Sequence, residues 1–309
     1  MKHLLKLSDL TTEEIRDILN FGDQLKYERK HGIKHKHLKD KSLGMIFQKA
    51  STRTRVSFEA GMFQLGGQAL FLSSRDLQIG RSEPIQDTAR VLSRYLDIIM
   101  IRTFAQQEVD DLAAYSQVPV INGLTDYAHP CQVLADLMTI REIKGSLEGL
   151  KLCFVGDGNN VMNSLIVGCL KMGMSVAVAC PSGYEPDAEI RAWAETSGRF
   201  SLQEDVFAAA EHADVLYTDV WASMGMEDEI KERQKAFRYY QINQQVMDVA
   251  ANDAIVLHCL PAHREEEITT EVLEAHAHEI FEQSENRLHV QKAVMVRLLC
   301  GPCKESSVL

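Results

Sequence analysis

An apolar run followed by a glycine-rich turn occupies residues 151–161, KLCFVGDGNNV. The apolar part, Lys151–Val155, has the length and composition of a buried strand, and the periodic stretch Asn160–Met172 predicts a helix after it. Short apolar runs alternate with amphipathic stretches in the same way along most of the chain. Because strands alternating with helices are typical of parallel sheets, we expect an α/β fold with mostly parallel strands.

Eight apolar runs are candidate strands, and three of the stretches between them are strong candidate helices. An earlier helix is expected to begin after Leu10, where Thr11-Thr12-Glu13-Glu14 is a capping sequence. The candidate strands are Leu43–Phe47, Gln68–Leu72, Ile98–Ile101, Val118–Ile121, Lys151–Val155, Ser175–Ala179, Asp214–Thr218 and Ile255–Leu257, and the helices are Pro130–Lys144, Asn160–Met172 and Asp187–Ser197.

Length and glycine placement suggest two domains. A chain of 309 residues has room for two cores. Gly145 and Gly149 stand between a long candidate helix and a new candidate strand. We therefore expect two α/β domains that meet near this point, with a final helix near 285–299.

Charge and cysteine usage exclude several classes of partner. The net charge is −11, which disfavours nucleic acid and anionic membrane as main partners because both select basic surfaces. No apolar run is long enough for a membrane span, and the N-terminus lacks the pattern of a signal peptide. Seven scattered cysteines disfavour a disulfide scaffold, so the expected compartment is the cytoplasm.

The first candidate site is Lys49-Ala50-Ser51-Thr52-Arg53-Thr54-Arg55, between a strand and a helix. Free backbone N–H groups at a helix start attract anions, and the planar guanidinium of arginine suits phosphate. The alternative is an ordinary helix cap with solvated arginines. Three hydroxyls and two arginines in five residues favour a phosphate site.

Two further candidates follow strands of the first half. Arg102 comes directly after Ile98–Ile101. His129 and Gln132 stand at the start of the helix that opens with Pro130. Both can donate toward a carbonyl or phosphoryl oxygen, although a surface arginine and a capping histidine remain alternatives.

The turn Gly156–Val161 begins like a dinucleotide-binding fingerprint but departs from it. Val161 stands where the third glycine belongs, and no acidic residue follows about 20 positions later. A nucleotide-linked dehydrogenase is therefore weakly supported. The asparagine pair, with Asn160 opening the helix, suits a polar amino-acid substrate.

The last two candidate sites follow strands of the second half. Asp219, at a strand end, can pair with a substrate ammonium, and Gly225 suggests that the loop after it is mobile. A structural turn is the alternative. Cys259 beside His258 suggests a nucleophile or a metal ligand, but adjacent residues of an extended chain point apart, so we expect no metal site. Cys300-Gly-Pro-Cys303 resembles a redox motif but lacks the helix after it that such a motif requires.

Taken together, these stretches resemble the ornithine carbamoyltransferases. The segments STRTR, LQIGRSEPI with Gln78, Arg102, HPCQ, DGNN, DVWASMG and HCLP occur here in the family's order, from about residue 1 to the helix after Arg287. STRTR and HPxQ are shared with aspartate carbamoyltransferase, whereas DVWASMG and HCLP are typical of the ornithine enzymes.

The resemblance implies carbamoyl transfer from carbamoyl phosphate to the side-chain amine of L-ornithine, with L-citrulline and phosphate as products. It implies two doubly wound domains: a carbamoyl phosphate-binding domain, 1–144, and an ornithine-binding domain, 145–309, whose C-terminal helix packs back on the first. It also implies homotrimers or assemblies of trimers, no organic cofactor or metal, and a role in arginine biosynthesis or in arginine deiminase-type catabolism.

The resemblance also assigns site residues. The residues that would hold carbamoyl phosphate are Ser51, Thr52, Arg53, Thr54, Arg102, His129, Gln132 and Arg287, with Gln78 from a neighbouring subunit. The residues that would contact ornithine are Asn160, Asp219, Ser223, Met224, Cys259 and Leu260. The residues that would act in catalysis are Arg102, His129, Asp219 and Cys259.

Two departures from the family pattern stand out. Gln48 replaces the usual glutamate before STRTR, and Glu265 replaces the glycine usual in HRGEE, which is expected to alter that loop because glycine tolerates backbone angles that glutamate does not. Three alternatives stay open: a carbamoyltransferase for putrescine, aspartate or acylated ornithine; a nucleotide-linked dehydrogenase; and a noncatalytic relative.

Overall fold

The structure, a computed structural model, describes residues 1–75, 77, 83–222 and 227–301. The chain divides into two compact units. Unit 1 comprises Met1–Leu134 and the chain from Asn286 onward, and unit 2 comprises Ala135–Glu285. None of the helices in the described ranges has the length and apolarity needed to cross a membrane.

Unit 1 is built on a four-stranded parallel sheet with the strand order β2-β1-β3-β4. The central strand β3 is buried at every position, which explains its unbroken apolar run. The elements of unit 1 are α1 (Thr12–Lys30), β1 (Ser42–Phe47), α2 (Thr52–Gln64), β2 (Gln68–Ser73), α3 (Ile85–Leu92), β3 (Ile98–Arg102), α4 (Gln106–Tyr115) and β4 (Val120–Leu124), followed by the start of α5 (Pro130–Lys144).

The two edges of this sheet differ. Beside β4, the N-terminal residue Leu4 continues the ladder: its N–H donates to Val120 and its carbonyl accepts from Asn122. Beside β2, the described chain adds no strand, and Leu70 and Phe71 are about 40% exposed (41% and 39%). An edge of this kind is open to pairing with another chain.

Unit 2 is built on a five-stranded parallel sheet with the order β7-β6-β5-β8-β9. Helix α6 is buried almost throughout, as its apolar composition predicts. Its elements are β5 (Lys151–Val155), α6 (Asn160–Lys171), β6 (Ser175–Ala179), α7 (Ala188–Glu195), β7 (Phe200–Gln203), α8 (Val206–Ala210), β8 (Val215–Thr218), α9 (Ile230–Phe237), α10 (Gln244–Val249), β9 (Ile255–His258), α11 (Thr270–Ala275) and the start of α12 (Ala277–Cys300).

These observations confirm the expected α/β fold with parallel strands. All eight candidate strands are present, and helices α5 and α6 begin at Pro130 and Asn160 as predicted. One strand was missed and one helix boundary was wrong. A ninth strand, β7, was not predicted, and α12 begins at Ala277 rather than near residue 285.

Candidate active site

The start of α2 gathers hydroxyl and guanidinium groups in unit 1. Ser51 caps the helix: its Oγ accepts a hydrogen bond from the Thr54 N–H at 3.2 Å. The Thr54 hydroxyl is fully buried and accepts from Ser51 Oγ at 3.1 Å and from Arg287 Nη2 at 2.8 Å. The contact places Arg287, from α12, beside the STRTR segment. A helix start with buried donors and a cation is suited to an anion.

His129, which immediately precedes α5, is the most electrostatically perturbed group of this cluster. Its side chain is buried, and burial lowers its pKa well below the usual value. The charges of Arg287, Arg102 and Arg53 act in the same direction. The imidazole is therefore neutral at neutral pH and offers one N–H donor. Gln132, in the first turn of α5, is also buried.

The two arginines of STRTR have different surroundings. Arg55 Nε donates to Glu59 at 3.0 Å, and its guanidinium lies 3.7 Å from the centre of the Phe71 ring. Arg53 acts electrostatically on His129. Of the two, Arg53 therefore belongs to the anion cluster, whereas Arg55 is held on the outer surface beside β2. Thr52 is exposed at the first position of α2.

Lys49 opens the first candidate stretch, but the sequence analysis gave its side chain no role of its own. It is 6% exposed, forms an ion pair with Asp126 and lies over the Phe104 ring, 4.3 Å from its centre. Asp126 is three positions before His129. Lys49 therefore joins the loop after β1 to the loop that carries His129.

In unit 2, the ends of β8 and β9 bring a thiol and a carboxylate together. Cys259 Sγ donates to Asp219 Oδ1 at 2.9 Å. Asn159 Nδ2 donates to Asp219 Oδ2 at 2.8 Å, and Asn159 Oδ1 accepts from two N–H groups at the start of α6. Asn159 thus orients Asp219, a role that the sequence analysis did not assign. Asn160 follows it as the first residue of α6 and is nearly buried.

His258, next to Cys259, has a defined hydrogen-bonding state. Its Nδ1 accepts from the Leu260 N–H at 2.9 Å, so the proton of a neutral ring is on Nε2, which donates to Glu267 at 3.0 Å. The side chains of His258 and Glu267 are fully buried. This pair fixes the backbone on both sides of Cys259.

The same cluster groups three residue types that can bind metals, although both ring nitrogens of His258 already have hydrogen-bond partners. Ligand atoms of Asp219, His258 and Cys259 lie within 4.8 Å of one another. Thiolate, imidazole and carboxylate are ligands that Zn²⁺ accepts. This proximity is not visible in the sequence because Asp219 comes from a neighbouring strand and because the chain turns at Leu260, where φ is 57°. The absence of a metal site stays a prediction.

Gly158, in the turn after β5, has a structural explanation. A Cβ atom at Gly158 would lie 2.3 Å from the backbone carbonyl carbon of Glu185. The backbone of the chain itself therefore occupies the space beside Gly158. This close approach accounts for Gly158 without a dinucleotide.

A buried ion pair supports the loop after β8. Arg233 Nη1 lies 3.0 Å from Asp157 Oδ2 and donates to the Trp221 carbonyl at 2.9 Å. The hydrogen bond from Arg233 to Trp221 joins α9 to the chain shortly after β8. Three predicted site residues, Gln78, Ser223 and Met224, lie outside the described residues, as does Cys303.

Two family models cover almost the whole chain. Residues 2–142 match the carbamoyl-P binding domain of aspartate/ornithine carbamoyltransferase, and residues 148–298 match its Asp/Orn binding domain.

Individual relatives agree with these models. The chain is 55% identical to an ornithine carbamoyltransferase of Carboxydothermus hydrogenoformans over 96% of its length and 97% of the relative's. It is 52% identical to the ornithine carbamoyltransferase of Oceanobacillus iheyensis over 96% of its own length and 94% of the relative's length. The solved ornithine carbamoyltransferase from Pyrococcus furiosus superposes with a TM-score of 0.93 at 52% identity, covering 98% of both chains.

Proposed function

The chain belongs to the ornithine carbamoyltransferases, within the aspartate/ornithine carbamoyltransferase family, and from this premise we propose which residues perform the transfer. The reaction moves the carbamoyl group of carbamoyl phosphate to the side-chain amine of L-ornithine and yields L-citrulline and phosphate. We assign carbamoyl phosphate to residues 1–144 and L-ornithine to residues 145–309, with α12 contributing Arg287 to the first substrate. The extents of the two family models support this division.

The cluster at the start of α2 would hold carbamoyl phosphate. Ser51, Thr52, Arg53 and Thr54 offer hydroxyl, backbone and guanidinium donors to the phosphate. The observation that carries this assignment is the Arg287–Thr54 hydrogen bond of 2.8 Å, which places a buried cation at a helix start. Gln78 would complete the site from a neighbouring subunit, and Gln132 would contact the carbamoyl group.

Arg102 and His129 would stabilise the charge that develops during attack. Attack on the carbamoyl carbon forms an oxyanion, and a positioned donor to such an oxygen contributes ~2.7–4 kcal/mol. Neutral His129 can donate one N–H to this oxygen without losing a proton. Arg102 and Arg53 would stabilise the departing phosphate. The residues thus provide fixed charge and hydrogen-bond donors, and the substrate supplies the activated bond.

Asp219 and Cys259 would bind and prepare the amino-acid substrate. An alkylamine with a pKa of ~10.4 is neutral in only about one molecule in 1000 at pH 7.4, so the site must favour the neutral form. Asp219 would pair with the α-ammonium, and together with Asn160, Ser223 and Met224 it would bind the α-amino and α-carboxylate end of ornithine. Cys259 and Leu260 would line the side chain, where desolvation lowers the amine's pKa. The 2.9 Å contact between Cys259 and Asp219 offers a path for the released proton.

The assembly that we propose is a homotrimer or a group of trimers. Unit 1 exposes apolar side chains at Leu70 and Phe71 on β2, beside which the described residues place no further strand, and at Val56 and Phe63 on α2. A second copy of the chain is the occupant that would cover them. We further propose the cytoplasm as the compartment, since the six cysteines that the structure describes are free thiols.

Citrulline formation from carbamoyl phosphate tests the substrate assignment, with L-ornithine, putrescine, L-aspartate and N-acetyl-L-ornithine supplied in parallel. We expect product with L-ornithine alone. Product from another amine instead would contradict the assignment of Asp219 to the α-ammonium and would leave the carbamoyl phosphate cluster intact. The absence of product from every amine would contradict both assignments.

A further inference from the structure

A second buried polar network lies in unit 2, behind the end of β9. It consists of Asp136 on α5, Tyr217 on β8 and Gln283 on α12, each at most 1% exposed. Gln283 Nε2 donates to Asp136 Oδ1 at 2.7 Å and to the Tyr217 hydroxyl at 3.1 Å. The Tyr217 hydroxyl donates to Asp136 Oδ2 at 3.2 Å.

The hydrogen bonds of this network define the orientation of the Gln283 amide. Its NH2 group faces two acceptors, so its carbonyl oxygen is turned to the backbone N–H of His258, from which it accepts at 3.0 Å. Burial, and then the charge of Asp136, raise the pKa of Tyr217 well above its usual value, so its hydroxyl remains a donor. Each of these contacts therefore has a defined donor and acceptor.

The contact to His258 gives the network a role beyond packing. Burying a carboxylate and an amide is costly, and apolar residues of similar size would fill the same space at lower cost. Gln283 holds the last residue of β9, directly before Cys259. The Asp219–Cys259 distance therefore depends on a backbone position that Gln283 sets.

We propose that Gln283, held by Asp136 and Tyr217, is a positioning residue that fixes the His258 backbone and thereby places the Cys259 thiol against Asp219. The part of this inference that concerns catalysis rests on the proposed role of Cys259 and Asp219 in binding ornithine. The part that concerns the thiol does not.

The first test is Gln283→Met. Methionine has a side chain of similar length but makes none of the three hydrogen bonds that Gln283 makes to Asp136, Tyr217 and His258. We expect kcat/KM for L-ornithine to fall about tenfold to a hundredfold and KM for carbamoyl phosphate to change less than twofold. Gln291→Met is the matched control. Gln291 is a fully buried glutamine on the same helix, and within the described chain its amide atoms have no hydrogen-bond partner. The control should leave both constants unchanged.

The second readout is the alkylation rate of Cys259. It is measured by peptide mass spectrometry, and the exposed Cys300 serves as the internal reference. A thiol released from the Asp219 carboxylate ionises more readily, so Gln283→Met should accelerate Cys259 alkylation about threefold or more. An unchanged rate in a folded variant overturns the inference. A faster rate with unchanged ornithine kinetics supports the positioning and contradicts the assigned role of Cys259.

Gln283→Glu keeps the proposal testable if the methionine variant does not fold. A glutamate here lies next to Asp136. Because two adjacent carboxylates repel each other when both are charged, one of them has a raised pKa and is protonated at a higher pH than an isolated carboxylate. Its protonated form can again donate to Asp136. The activity relative to the parent enzyme should therefore rise as pH falls from 9 to 6.5. A ratio that stays constant over this range contradicts the network.

Discussion

Arg287 donates from Nη2 to the hydroxyl of Thr54 across 2.8 Å, although the two residues are 233 positions apart in the sequence. Thr54 belongs to the first turn of α2, and Arg287 to the part of α12 that lies in unit 1. The contact brings a guanidinium group from α12 to the start of α2, where we place the phosphate of carbamoyl phosphate. It also exposes His129 to a third guanidinium charge.

Replacing Arg287 with methionine should weaken carbamoyl phosphate binding. A hydrogen bond to a charged group is worth about 1.5–3 kcal/mol, so KM for carbamoyl phosphate should rise roughly tenfold to a hundredfold in steady-state assays. The pKa of His129 should rise because a nearby cation is lost. Arg297→Met is the control: Arg297, on the same helix, pairs with Asp17 and should affect the melting temperature alone. An unchanged KM would contradict the assignment of Arg287.

Replacing Asp219 with asparagine should impair the amino-acid half of the reaction. The variant loses the charge that attracts an ammonium and keeps one acceptor oxygen for the two donors Cys259 and Asn159, so kcat/KM for L-ornithine should fall at least tenfold. KM for carbamoyl phosphate should stay within twofold. Asp214→Asn is the control, since Asp214 lies just before the same strand and accepts from the Lys151 N–H. Equal losses for both substrates would argue against a role specific to ornithine.

His289 should make the protein less stable in acid. Burial, followed by the charges of Lys292 and Lys26, lowers its folded-state pKa to about 3, below the ordinary value of 6.5. Between these values the unfolded chain binds a proton that the folded chain excludes, so stability falls with falling pH by about 1.4 kcal/mol per unit.

The variant His289→Gln removes that contribution, and thermal melts from pH 7 to pH 4 should show a shallower decline. His212→Gln, at an exposed histidine, is the control and should reproduce the parent slope. A parent-like slope in His289→Gln would contradict the assignment.

Glu265 should tolerate glycine better than alanine. Its φ is 68°, in the region that favours glycine, and its carboxylate accepts from the Thr270 N–H at 2.9 Å at the start of α11. Alanine keeps the backbone strain and loses the hydrogen bond, whereas glycine removes the strain. The melting temperature should follow the order Glu265→Gly above Glu265→Ala. The reverse order would contradict this account.

The sequence predicted the central strands because a strand covered on both faces must be apolar, as β3 is. It did not predict β7, an edge strand whose Ser201 is exposed and whose other residues are half-buried. It placed the start of α12 too late because the buried positions before residue 285 are Ile280 and the polar Gln283, so this part of the helix shows little apolar periodicity.

The sequence also identified the residues at strand ends, since parallel strands direct their carboxyl ends to one edge of a sheet. It did not identify the residues that support them. Gln283 and Asp136 are 147 positions apart, and Lys49 and Asp126 are 77 positions apart. Such pairs leave no local pattern, because each partner alone looks like an ordinary polar residue.

The edge of β2, which no strand of the described residues covers, has a practical consequence for handling the protein. A strand whose outer side is open can pair with its correct partner or with any other extended segment, and the two outcomes compete. In the assembly that we propose, association follows mass action, so dilution shifts subunits toward the exposed form. Shelf life and heat resistance should therefore decline in dilute stocks, and the precipitate that forms should be enriched in β structure.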